Sequence, residues 1–283
     1  MTAVEVHGLR KSYDGVEAVR GASFEIAAGE VFGLLGPNGA GKTTTVEILE
    51  GHRRRDSGDV RVLGVDPAAA PDRWRGRIGV VPQSGDLFLN LTVIEHLRLF
   101  AAYYERPRPP EEVLELVGLR EKRGARYRTL SGGQRRRLDF GVALVGDPEL
   151  IFLDEPTTGF DPAARRAAWE TIRSLRELGK TILLTTHYIE EAHRLADRVA
   201  VLRAGEIVAT GTPADLIAAG PPTQIRYRRD GRDVVTETHE PTRLLHELTA
   251  EALSAGRELD GLEVHRPTLE DVYLRLTGDE GVE

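Results

Sequence analysis

The chain has 283 residues, 40% of them hydrophobic and 29% charged, which is ample for one large domain or a domain with a smaller companion. It has no cysteine, so disulfides, thiolate metal sites and cysteine nucleophiles are excluded. A formal net charge of −7 argues against a general nucleic-acid binder, and no nucleic acid is expected as a partner.

The opening stretch "MTAVEVHGLRKSYDG" has no apolar core of the kind a secretory signal carries. No apolar run approaches the length that spans a bilayer, so any membrane part is expected from another chain. Residues 3–35 read as strands: Val4 and Val6, then Phe24 and Ile26, alternate with polar neighbours, and "AAGE" (27–30) reads as a turn. "VFGLLG" (31–36) has the continuous apolar character of a buried strand, and "GKTTTVEILEG" reads as a helix closing at Gly51. "GDVRVLG" and "RIGVVPQ" are further strands. Residues 86–147 read as mainly helical. There Thr92 with Glu95 makes a capping box ahead of "VIEHLRLFAAYY", and "RPRPP" (106–110) is a loop. In "LSGGQRRRLDF" a glycine pair opens a helix whose apolar positions include Leu138, Gly141, Val142 and Val145. Glycines weaken a helix start, so their presence calls for close approach of something to the backbone. Arg135, Arg136 and Arg137 spread around that helix and read as a solvated or subunit-facing surface.

After Pro148 strands and helices alternate. "ELIFLDEP" and "KTILLTTH" are buried strands, "AARRAAWETIRSLRELG" and "YIEEAHRLADRV" are helices, and "VAVLRAGEIVATG" is a hairpin turning at Gly205. This alternation predicts an α/β fold with a largely parallel sheet covered by helices. "AAGPPTQ" (218–224) is a plausible boundary. Beyond it, a hairpin around Asp230-Gly231 and a last helix capped by Thr268 with Asp271, with apolar face Leu269, Val272, Tyr273 and Leu276, are expected.

Two motifs carry chemistry. "GPNGAGKT", comprising Gly36, Pro37, Asn38, Gly39, Ala40, Gly41, Lys42 and Thr43, fits G-x-x-x-x-G-K-[ST] between a strand and a helix. Small residues there let backbone N–H groups and a helix N-terminus surround phosphate oxygens. Lys42 suits the β- and γ-phosphates of ATP, and the Thr43 hydroxyl suits Mg²⁺. "LIFLDEP" sets Asp154 and Glu155 at the carboxyl end of an apolar strand, where parallel sheets gather ligands. Asp154 is the candidate Mg²⁺ ligand, and Glu155 the candidate acceptor of a proton from attacking water.

With those residues in view, the chain resembles the nucleotide-binding subunits of ABC (ATP-binding cassette) transporters. Tyr13 in "KSYDG" is similar to the aromatic that stacks on adenine. Gln83 in "VVPQ" is similar to the Q-loop glutamine, "LSGGQ" (130–134) to the signature, "GFDP" (159–162) to the D-loop, and His187 in "LLTTH" to the switch histidine. The resemblance covers residues 3 to about 215. It implies a P-loop NTPase fold with a RecA-like parallel core sheet, an antiparallel β subdomain, an inserted α-helical subdomain at about 86–147, and a small α+β C-terminal unit. The domains it implies are a nucleotide-binding domain over 1–218 and a C-terminal domain over 222–283.

The activity it implies is ATP hydrolysis. ATP is contacted by Tyr13, residues 36–43 and Thr44 in one subunit, and by Ser131, Gly132, Gly133 and Gln134 of the opposite subunit in an ATP-bound homodimer. Asp161 communicates across that dimer, and Thr43, Gln83 and Asp154 hold Mg²⁺. Glu155, His187 and Gln83 serve the hydrolytic step. Phe160 stands where such chains usually carry leucine, and altered packing at the dimer seam is the expected consequence.

The tail resembles drug-resistance and ABC-2 type exporter ATPases such as those for daunorubicin. That implies export of a drug, lipid or polysaccharide through a separate transmembrane permease, and a place in the cytoplasm on the inner face of the cell membrane. The permease would dock near Gln83 and residues 84–105, where Leu87, Phe88 and Leu91 are contacts or core. A nutrient-importer ATPase and a non-transport ATPase acting on a soluble partner are the alternatives. Translation-associated relatives carry two cassettes, and DNA-repair relatives place a long coiled coil between Walker A and the signature, where Thr43 and Ser131 of this chain are only 88 positions apart.

Overall fold

The computed structural model describes residues 1–83, 87–229 and 231–278. Ser84, Gly85 and Asp86, at the head of the expected docking segment and helical stretch, and Asp230 of the expected hairpin turn lie outside the described residues. The chain divides into two compact units, Met1–Thr212 and Pro213–Glu283.

The first unit begins with two long strands, β1 (Thr2–Tyr13) and β2 (Val16–Ala27), followed by the short buried β3 (Val31–Leu35) and helix α1 (Lys42–Leu49). Next come β4 (Ser57–Val62), the one-turn α2 (Asp72–Arg75) and β5 (Ile78–Val81). The helical stretch contains α3 (Val93–Ala101), α4 (Pro110–Leu116) and α5 (Gly132–Leu144). Thr92 caps α3 through the expected box with Glu95. Then follow β6 (Leu150–Asp154), α6 (Pro162–Glu177), β7 (Thr181–Thr186), α7 (Ile189–Leu195), β8 (Arg198–Arg203) and β9 (Glu206–Gly211). Helix α7 is shorter than its sequence pattern suggested. Ala196 turns extended, and Asp197 leaves the helix so that its carboxylate accepts the Val31 N–H at 3.0 Å.

Strands β5-β6-β7-β3-β8-β9 form one six-stranded sheet, parallel except for the β8–β9 hairpin. β3, β6 and β7 are buried along their whole length, which is why they read as continuous apolar runs. The strand period of two divides their side chains between two cores. Leu150 and Phe152 of β6, with Phe32 and Leu34 of β3, join the core under the antiparallel sheet β2-β1-β4. Ile151 and Leu153 join the core built by α3, α4, α5 and α6. The parallel strands all end at one edge of the sheet, so the segments at Gly36, Gln83, Glu155 and His187 emerge side by side.

The second unit contains α8 (Pro213–Ala218), β10 (Thr223–Arg229), β11 (Arg232–Thr238), α9 (Pro241–Ser254), β12 (Asp260–His265) and α10 (Leu269–Thr277). Its strands form an antiparallel sheet in the order β11-β10-β12, with Ile225 and Tyr227 of the central strand buried. Thr268 and Asp271 make the expected capping box at α10, and Leu269, Val272 and Tyr273 are buried.

Candidate nucleotide site

The loop between β3 and α1 is shaped by glycine. Gly41 takes φ 103°, and a Cβ there would lie 2.3 Å from the Ala18 carbonyl oxygen. At Gly36 a Cβ would lie 2.4 Å from the Leu202 carbonyl oxygen. No side chain fits at either position, so the backbone itself lines the cradle. Lys42 opens α1 but turns back over this loop. It is only 5% exposed, and its ammonium donates to the carbonyls of Gly36 at 2.8 Å and Pro37 at 3.1 Å. Asn38 and Gly39 are exposed at the tip, Ala40 is buried beneath, and Thr43 is exposed with Thr44 half-buried behind it.

Glu155 is the meeting point of the other segments. Its Oε1 lies 3.4 Å from Lys42 Nζ and 3.4 Å from His187 Nδ1, and its Oε2 accepts from Gln83 Nε2 at 3.0 Å and from the Thr158 hydroxyl at 3.0 Å. The His187 contact has ion-pair distance without hydrogen-bond alignment. Burial pushes the Glu155 carboxyl up, but Lys42, Thr158 and His187 outweigh it and hold the group below the usual carboxylate range. Its backbone is unusual: φ is 44°, the left-handed region that a side chain normally avoids. Such a conformation costs about 1–3 kcal/mol and persists where surrounding bonds over-determine it. Here the Glu155 N–H donates to the Thr185 hydroxyl at 3.0 Å and also reaches the Thr185 carbonyl at 3.2 Å.

Asp154 sits one residue earlier, 8% exposed. It accepts from the Thr185 hydroxyl on one oxygen, and its other oxygen lies 3.4 Å from the Thr43 hydroxyl. The Thr43–Asp154 pair is an all-oxygen donor set at the foot of the cradle. It fits a hard cation such as Mg²⁺, which takes one or two carboxylates and completes its shell with water and phosphate oxygens.

The remaining candidate residues stand apart from this cluster. Tyr13 ends β1, with Lys11 Nζ 5.4 Å and the Arg53 guanidinium 5.2 Å from its ring centroid. Ser131 caps α5: its hydroxyl accepts the Gln134 N–H at 3.3 Å, and Gln134 Oε1 accepts the Ser131 N–H at 3.0 Å. Asp161 caps α6 through the N–H groups of Ala163 at 2.8 Å and Ala164 at 2.9 Å. Phe160 is partly buried against the helical core and shares a recess with Ser131, Gly132, Gly133 and Asp161. Among the described residues nothing outside its own helix turn demands glycine at the head of α5: a Cβ at Gly132 would meet none of them within 4 Å, and one at Gly133 only the Ala164 side chain at 3.4 Å. Near Gln83, Leu87 packs on the helical core, whereas Phe88 is 57% exposed.

One expectation is corrected. Arg136 does not belong to a solvated surface: it is 7% exposed and donates to the carbonyls of Pro82, Asp154 and Pro156. Burial pulls its guanidinium pKa down, and Asp139, Asp154 and Glu191 push it back up. A signal for this existed in the sequence. Arg136, Phe140 and Ala143 recur at i, i+4, i+7 and form a buried stripe of α5. Glu191, fully buried, was also missed. Its Oε1 accepts from the Thr157 hydroxyl at 2.8 Å and from Trp169 Nε1 at 3.0 Å.

Residues 19–158 match the family profile described as ABC transporter. The chain is 42% identical to the Nod factor export ATP-binding protein I of Paraburkholderia xenovorans, over 98% of each chain. It is 43% identical to the protein of the same name from Rhizobium meliloti, over 98% of this chain and 89% of that one. Among solved structures, an ATP-binding subunit of an ABC transporter superposes with a TM-score of 0.65 at 31% identity, over 76% of this chain and 91% of that one. A dimeric post-hydrolysis ATP-binding cassette bound to ADP and Pi superposes with a TM-score of 0.66 at 25% identity, over 74% of this chain and 98% of that one.

Proposed function

The chain belongs to the ABC transporter family as an ATP-binding and ATP-hydrolysing subunit, and from that premise we propose that it drives export through a separate membrane permease. What supports export is full-length likeness to proteins named for Nod factor export. The likeness to daunorubicin exporters lacks that support, so drug resistance is not part of the proposal. Among the described residues no helix is long and apolar enough to cross a membrane, so the permease is assigned to another chain. We place this subunit in the cytoplasm, on the inner face of the cell membrane.

The single observation that carries the catalytic reading is the convergence of Lys42, Gln83 and His187 on Glu155. In this reading the N–H groups of the 36–43 loop and Lys42 bind the phosphates of ATP, and Tyr13 stacks on the adenine. Thr43, Asp154 and Gln83 would hold Mg²⁺, which would supply charge neutralisation for the phosphates. Glu155 accepts the proton of the attacking water. Its carboxyl, held below the usual range by Lys42, Thr158 and His187, is in the ionised form that can accept a proton. His187 orients the water and the γ-phosphate.

A second copy presents Ser131, Gly132, Gly133 and Gln134 to the same γ-phosphate, with Asp161 at the seam. Loss of that phosphate removes the shared contact and opens the dimer. Support for the dimer comes from the two glycines that the chain's own packing does not require, and from the dimeric cassette that superposes on this one.

Glu155→Gln tests the base. It should keep ATP binding, trap an ATP-bound dimer and slow hydrolysis by roughly 10²–10⁴-fold; near-normal turnover would remove Glu155 from the role. Affinity purification from gently solubilised native membranes tests the transport reading. A polytopic membrane protein in stoichiometric amount is expected, and recovery with soluble partners alone would overturn it.

A further inference from the structure

The buried Arg136 is not used by the mechanism above, yet its three hydrogen bonds all end on the backbone that carries the mechanism. Its guanidinium leaves α5 five residues after Ser131 and enters the interior, with side-chain exposure of 8%. Nη1 donates to the carbonyl of Pro82, the residue before Gln83. Nη2 donates to the Asp154 carbonyl at 3.2 Å, and Nε to the Pro156 carbonyl at 3.1 Å. The last two acceptors flank Glu155, the residue held at φ 44°. Across the same turn, the buried Glu191 accepts from Thr157.

The strained turn is therefore gripped on both sides, by the Arg136 guanidinium on α5 and by the Glu191 carboxyl on α7. A planar fork of fixed N–H directions can span three carbonyls on two strand ends; a lysine ammonium is a point donor and cannot. A buried cation is costly; besides the three carbonyls it has Asp139 Oδ2 at 3.9 Å and the Phe140 ring at 5.9 Å, both on its own helix, and only the carbonyls tie it to the strand ends.

We propose that Arg136 is a positioning residue for hydrolysis: it holds the left-handed turn that carries Glu155, with the signature helix as its anchor. The inference rests on Glu155 being the base. It predicts that loss of the fork leaves nucleotide affinity in place and lowers turnover, because the phosphate cradle of residues 36–43 makes no bond to Arg136. A misplacement of about 1 Å at a reacting group costs on the order of 100-fold in rate.

The test uses the full chain and compares the parent with Arg136→Lys, Arg136→Ala and Glu155→Gln. Measured are kcat, KM, Mg-ATP affinity and Tm. Arg136→Lys should lose about 100-fold in kcat while ATP affinity stays within a few-fold of the parent. Guanidinium ion at tens of millimolar should restore part of the turnover of Arg136→Ala, and sodium chloride or methylammonium at equal ionic strength should not. Where Arg136→Lys does not fold, Arg136→Gln, neutral and still able to donate twice, gives the same split. Parental kcat in the lysine variant overturns the proposal. So does a loss of turnover that tracks equal losses in ATP affinity and Tm with no guanidinium response. If Glu155→Gln hydrolyses ATP like the parent, the reading of Glu155 itself has failed, and that result is distinguishable because it does not involve Arg136.

Discussion

Two carboxyls of this chain show how position sets chemistry for one residue type. Glu155 is surrounded by cationic and hydroxyl donors and stays ionised. Glu50, 5% exposed at the end of α1, meets the opposite environment: burial, then the charges of Asp154 and Glu47, push it up to about 8 from an ordinary value of 4.5. It is therefore neutral in the folded protein at pH 7, and able to donate to His52 Nδ1, 3.1 Å away. The consequence for stability has a definite sign. Below pH 4.5 both folded and unfolded chains hold the proton and the group is neutral to folding. Between 4.5 and about 8 only the folded chain holds it, so stability falls as pH rises; above 8 the loss is constant. The full loss is on the order of 5 kcal/mol. Glu50→Gln removes the titration at constant size. Without nucleotide or magnesium, the variant should match the parent near pH 4 and exceed it increasingly up to about pH 8.5. Parallel Tm profiles for the two proteins would show that Glu50 does not carry this penalty.

At the scale of elements, helix caps mark some of the segments that could be read from sequence. α3, α5 and α10 each start with a reciprocal box; Thr92–Glu95 and Thr268–Asp271 were legible as caps, whereas α5 was legible from its apolar spacing and its Ser131–Gln134 box was not read. In α10 the Thr268 hydroxyl accepts the Asp271 N–H at 3.2 Å while Asp271 Oδ2 accepts the Thr268 N–H at 2.7 Å. Burial pushes the Asp271 carboxyl up, and the two Thr268 donors and His265 pull it below the ordinary range, so the cap works above acid pH. Thr268→Ala should destabilise the helix by about 1 kcal/mol. Hydrogen exchange should then accelerate about fivefold in α10 amides while the amides of β6 and β7 keep their protection. Unchanged exchange in α10 would mean that its buried face alone holds it. Two segments of the second unit carry weaker signals: α9 starts at Glu240 without a side-chain cap and only Pro241 marks its first turn, and β12 alternates only at Leu262 and Val264, with every position exposed. The central strands were legible because burial on both faces leaves mostly apolar side chains, with Thr185 and Asp154 at their ends. Arg136 was misread because adjacent arginines look alike until the helix phase is taken from Phe140 and Ala143.

For the whole molecule, the open question is what the head of α5 faces. Within the chain, glycine at position 132 is a cost: it sits in the first turn of a helix, with no described residue outside that turn within 4 Å of the place a Cβ would occupy and no positive φ. Glycine-to-alanine replacement at a compatible site stabilises a folded chain by about 0.4–1 kcal/mol. A monomer selected only for stability would carry alanine. The proposed ATP-bound dimer would supply the missing constraint, because backbone N–H groups that touch a partner's γ-phosphate would have no room for a methyl group. The two effects have opposite signs, and one variant separates them. Gly132→Ala should raise Tm of the nucleotide-free chain slightly and keep ATP affinity. In the Glu155→Gln background it should weaken the ATP-dependent dimer by about tenfold or more, roughly 1.4 kcal/mol; analytical ultracentrifugation with and without Mg-ATP reads the difference. A dimer as tight as the parent's would mean that α5 does not meet nucleotide across a subunit boundary, and the site would then have to work within one chain.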